Sequence, residues 1–126
     1  MNDFQEKVRR WIHYCLGTAD ANDRTERNNR FLEESLELVQ SLGATRDDCI
    51  ALVDYVFSRP LGDPSQEVGG VLITLAALST AHDIALQTAA DLELRRVWKN
   101  IDTIRAKHAA KPRNSPLPGP SPEVKK

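Results

Sequence analysis

Residues 30–43 read RFLEESLELVQSLG, and in them Phe31, Leu32, Leu36, Leu38, Val39 and Leu42 recur at spacings of three and four. That spacing gathers side chains on one side of an α-helix, and Gly43 supplies the stop. The pattern extends back to about Arg24, so a helix is expected over 24–42. Elsewhere the same period recurs and no stretch alternates as a strand, which makes the chain all-α, a bundle of about five helices. Proline and glycine stand almost entirely at the joints or in the tail.

Working outward, the first helix runs from about Asp3 to Leu16, with Phe4, Val8, Trp11, Ile12, Cys15 and Leu16 on its apolar stripe and Gly17 after it. Polar residues 18–23 read as a turn. A third helix opens at Thr45, whose hydroxyl can cap it, and stops near Arg59-Pro60. Asp63-Pro64 reads as an N-cap followed by proline in the first helical position, starting a fourth helix that reaches about His82. This fourth helix is apolar nearly all round, so neighbouring helices or a second subunit must cover it. Gly69 and Gly70 inside it cost about 1 kcal/mol each relative to alanine, and a close approach of backbone or ligand is expected to compensate. A fifth helix spans about Asp83 to Lys107, turning Leu94, Val97, Trp98, Ile101 and Ile104 inward. The expected organisation is one domain over 1–110 and a flexible proline-rich tail over 111–126.

Lys and Arg number 17 against 18 Asp and Glu, a balance that offers no electrostatic case for a nucleic-acid or anionic-membrane partner. No apolar run reaches the ~18–20 residues of a bilayer span, and the N-terminus lacks a signal-peptide layout, so a cytoplasmic protein is expected. Cys15 and Cys49 stand apart, without the spacing of a zinc or redox site, and read as buried apolar residues. Trp11 reads as a core aromatic, and His13 and His82 as ordinary helix residues.

On the helix over 24–42, Arg30, Glu33, Glu34 and Glu37 fall within an arc of roughly 100° beside the apolar face. Glu34 and Glu37, three apart, can point at one ion, and oxygen ligands with room for water suit magnesium or manganese. The same acids would also serve as a solvated face. Glu67 is the one acidic residue in the run 67–81; it is a third possible ligand, or a first-turn complement to the helix dipole.

The order of these pieces resembles the MazG-like all-α nucleotide pyrophosphohydrolases, in which one helix carries E-E-x-x-E and a later one E-x-x-D. The first motif stands as Glu33-Glu34-Ser35-Leu36-Glu37. The second begins with Glu67, but Gly70 occupies the place of its Asp. The likeness covers about residues 4–112 and is closest to short phage- and bacterium-type members, through RFLEESLELVQSLG, LVDYVFSRP and EVGGVLITLAAL. The resemblance implies Mg2+- or Mn2+-dependent hydrolysis of a (d)NTP to a (d)NMP and pyrophosphate. It implies Glu34, Glu37 and Glu67 as metal ligands, with Glu33 in the shell or acting as base. Arg30, Arg105 and Lys107 are the cations expected to meet the phosphates. A homodimer or dimer of dimers is expected. The alternatives are a non-catalytic binding module of the same fold, and a structural bundle whose acidic arc is only solvated.

Overall fold

The structure, a computed structural model, describes residues 2–112 and 115–119, apart from the side chain of Asn2. Among these it is all-α, with seven helices: α1 (Asn2–Leu16), α2 (Thr18–Ala21), α3 (Arg24–Ser41), α4 (Arg46–Phe57), α5 (Pro64–Ala81), α6 (Leu86–Lys99) and α7 (Ile101–Ala109). No single helix among the described residues is long and apolar enough to cross a membrane. The chain forms two compact units, one of residues 1–42 with 94 onward, the other of residues 43–93.

The helix boundaries follow from side-chain chemistry. Asp23 accepts from the Glu26 amide at 3.1 Å, Thr45 from the Asp48 amide at 3.1 Å and Asp63 from the Gln66 amide at 3.0 Å. Each bond satisfies an amide that the first helical turn leaves without a partner. Pro64 occupies the start of α5, where its missing N–H costs nothing. At the other end of α5 Asp83 adopts φ 56°, and the Ile84 and Asp83 amides turn back to the Ser79 and Thr80 carbonyls at 2.8 and 3.2 Å. This is the reversal that usually takes glycine.

Two expectations about the elements are corrected. The turn expected over 18–23 contains one helical turn, α2. Gly17, at φ 88°, redirects the chain, and its carbonyl then accepts from the Ala21 amide at 3.0 Å. The single fifth helix is broken in two at Asn100. The Asn100 side-chain amide donates to the Arg96 carbonyl at 3.0 Å, taking the acceptor its own backbone N–H would use, and that N–H turns to Val97 at 3.3 Å. Asparagine's competition with the backbone thus ends α6 and begins α7.

In the first unit α1 packs on α2 and α7. Its centre is Cys15, only 4 % exposed, with Trp11, Ile12, Leu16, Val97, Ile101 and Ile104 half-buried. Trp98 is partly exposed and packs its ring against Tyr14, centroids 5.5 Å apart. The tail expected over 111–126 lies outside the described residues at 113–114 and 120–126. Its described part carries no helix, and the Pro116 carbonyl accepts a hydrogen bond from Arg30 Nη2.

The second unit leaves much apolar surface in water. Phe57 is 85 % exposed, Leu61 fully exposed and Ile73 73 % exposed, and Ser79 is the buried residue of α5. A Cβ built on Gly69 or Gly70 would meet nothing within 4 Å. The close approach expected at these glycines is therefore not found among the described residues.

Candidate functional site

The candidate site begins with helix α3, whose regular turns carry the acidic arc. Glu34 and Glu37 both reach solvent and Glu33 is half-buried. Three residues of an α-helix advance about 4.5 Å along its axis, so the Glu34 and Glu37 carboxylates can converge on one cation. Their oxygens are hard donors, of the kind that Mg2+ or Mn2+ accepts.

Glu33 and Arg30 are neighbours in a charge network that runs back along α3. Arg30 Nε lies 3.7 Å from both Glu33 Oε1 and Glu26 Oε2. Glu26 is 6 % exposed and also meets Lys111 Nζ at 3.1 Å and Arg27 Nη2 at 3.6 Å. Arg27 Nη2 donates to Asp20 Oδ2 at 2.9 Å, and His108 Nε2 lies 3.1 Å from Asp20 Oδ1. A buried carboxylate is tolerable only with cations and donors around it, and here Arg27, Arg30 and Lys111 balance Asp20, Glu26 and Glu33. Ligand atoms of Asp20, Glu26 and His108 come within 4.8 Å of one another, a spacing that could hold a metal ion. The ammonium of Lys111 and the guanidinium of Arg27 sit against these two carboxylates, and the cluster ties α2, α3 and α7 together.

Arg105 has a definite placement. Its Nε donates to the Cys15 carbonyl at 2.8 Å, its Nη2 to the Tyr14 carbonyl at 2.9 Å, and its guanidinium lies 5.3 Å from the centre of the Tyr14 ring. It satisfies carbonyls that the last turn of α1 leaves open and binds α1 to α7. Burial pushes the Cys15 thiol above its ordinary range, and the nearby Arg105 charge opposes this. Lys107 is exposed on α7.

Glu67 belongs to the second unit and sits in the first turn of α5, where the backbone amides favour its charge. Its carboxylate folds back over Gly62, and a Cβ at that glycine would collide with Glu67 Oε2. Gly70, one turn further on, faces open space.

Residues 20, 26, 108 and 111 escaped the sequence reading. Arg27 and Arg30 near a helix N-terminus were the available signal, because cations there oppose the helix dipole unless acids hold them. The contribution of His108 and Lys111 depends on long-range packing that periodicity does not encode. Comparison with protein-family models, curated proteins and solved structures finds no match to this chain.

Proposed function

We propose that this chain is a Mg2+-dependent nucleoside triphosphate pyrophosphohydrolase of the MazG-like type, with Glu34 and Glu37 as metal ligands. The observation that carries this reading is the pair of solvent-reaching carboxylates Glu34 and Glu37, three apart on α3 within the E-E-x-x-E motif. Both are exposed, whereas Glu26 on the same helix is buried among three basic side chains. Glu34 and Glu37 would hold the divalent ion, which would supply charge neutralisation at the phosphate oxygens and a more acidic water. Glu33 orients the attacking water and accepts its proton as the oxygen attacks the α-phosphorus. The bond between the α-phosphorus and the bridging oxygen breaks, and pyrophosphate leaves. Arg30 steadies Glu33 from the side, and Lys107 is the exposed cation available to a phosphate.

The same reading makes the protein a homodimer or dimer of dimers. More than a dozen large apolar side chains of the second unit are exposed, on the order of 1,000 Å2 in all at roughly 60–120 Å2 per side chain. A standard interface takes about 800 Å2 from each partner, so a second copy accounts for a surface that water would otherwise meet.

Gly70 in the place of the expected Asp favours one further reading, a binding module of this fold that holds nucleotide and cation without hydrolysing it. A phosphate-release assay with added pyrophosphatase, run over the common NTPs and dNTPs with Mg2+ or Mn2+, separates the two. Release that depends on the added pyrophosphatase supports the enzyme. No release with any nucleotide refutes it in favour of the binding module.

A further inference from the structure

Beside the acidic arc, α3 forms one wall of a cleft of about 600 Å3 lined by Ala21, Asn22, Arg24, Arg27, Asn28 and Phe31. Arg24, Arg27, Asn28 and Phe31 stand at i, i+3, i+4 and i+7, a single stripe of the helix, and Ala21 and Asn22 close the far side. The volume lies within the range of small-molecule sites, roughly 300–1,000 Å3. All lining residues belong to the first unit, and no carboxylate is among them.

The lining has the composition of a base-recognition site. Phe31, 54 % exposed, offers a flat apolar face for stacking. Asn22 and Asn28 each carry both a donor and an acceptor, and the two guanidinium groups carry donors alone. Arg27 is already oriented, since Asp20 holds its Nη2, and its buried Nε has no hydrogen-bond partner. Arg24 is exposed and forms no side-chain hydrogen bond or ion pair among the described residues.

Position along α3 relates the cleft to the metal-ligand candidates. Glu34 lies three residues beyond Phe31, about 4.5 Å further along the axis, and at 100° per residue it points within about 20° of the direction of Arg27. A nucleotide whose phosphates share a divalent cation with Glu34 and Glu37 would lay its base on Phe31 and turn its edge toward Asn28 and the arginines.

We propose that the cleft between Ala21–Asn22 and the Arg24–Phe31 stripe of α3 is the base subsite, selective for oxo-bases. It rests on the pyrophosphohydrolase reading for the placement of the phosphates. Arginine donors pair with the O6 and N7 acceptors of guanine and the carbonyls of uracil and thymine, whereas adenine presents an amino donor beside its N7.

Calorimetric titration with dGMP, dUMP and dAMP in Mg2+, which involves no turnover, tests it. Wild-type protein is expected to bind dGMP and dUMP at least fivefold more tightly than dAMP, Arg24→Gln to erase that preference, and Phe31→Leu to weaken all three about tenfold. Because Arg24 is exposed and has no hydrogen bond or ion pair to lose among the described residues, a folding defect will not obscure its result. Equal affinities for the three monophosphates in the wild type, or a preference unchanged in Arg24→Gln, overturn the base subsite even if triphosphates are hydrolysed. Selective binding lost in Arg24→Gln without hydrolysis of any triphosphate upholds the subsite and refutes the enzyme.

Discussion

Replacing Arg105 by alanine should destabilise the protein, with no effect on substrate affinity beyond that of unfolding. In the structure this side chain donates to the Cys15 and Tyr14 carbonyls at 2.8 and 2.9 Å and covers the Tyr14 ring at 5.3 Å. Hydrogen bonds from a charged donor contribute about 1.5–3 kcal/mol when well buried. Arg105 is partly solvated, so about 1 kcal/mol for each bond is the appropriate scale. The contact with the ring adds about 0.5–1 kcal/mol. The sum, about 2–3 kcal/mol, corresponds to a fall in Tm of roughly 6–15 °C for a chain of this size. Lysine has no fork to reach both carbonyls, so Arg105→Lys should recover less than half of the loss. Thermal unfolding by circular dichroism measures the effect, and nucleotide KM measured well below Tm supplies the second readout. An Arg105→Ala protein with unchanged Tm and a tenfold higher KM would refute the argument, returning Arg105 to the role of phosphate ligand.

Three further outcomes follow from particular residues. Gly70→Asp, entering open space one turn beyond Glu67, should raise Mn2+ affinity several-fold by titration calorimetry; an unchanged or weaker affinity would mean that position 70 does not face the cation. Ile73→Asp, at a position 73 % exposed in one chain, should convert the proposed oligomer to monomer in light scattering, whereas a variant that assembles like the wild type would exclude this face of α5 from the interface. Cys15, buried and with its thiol pushed upward by desolvation, favours the neutral form. It should resist iodoacetamide at pH 8 until the protein unfolds while half-buried Cys49 is alkylated first, and equal rates at the two would contradict the packing of α1.

Much of the helical layout was legible because it is written in local chemistry. Thr45, Asp63 and Pro64 announce helix starts through bonds to amides three residues away, and Gly17 and Gly43 mark stops through conformations that side chains disfavour. Asn100 interrupts a strong apolar period by a single side-chain bond to Arg96, a competition that periodicity alone cannot weigh. Arg105 was expected to meet a phosphate, but its partners lie 90 and 91 positions away in α1. The same distance in sequence concealed the buried network around Glu26. The acidic arc itself was readable, since Glu33, Glu34 and Glu37 share a face through helix geometry alone. Which acids are consumed by cations and which reach solvent is a matter of tertiary packing.

The central claim is that Glu34 and Glu37 hold one hard divalent cation. Titration of Mn2+ into the full-length protein, followed by the electron paramagnetic resonance of the free ion, addresses it without requiring turnover. One site per chain is predicted, weakened at least tenfold in each of Glu34→Gln and Glu37→Gln and unchanged in the exposed α4 control Asp47→Asn. Mn2+ uptake that is absent from the wild type, or equal in the wild type and both glutamine variants, would contradict the account.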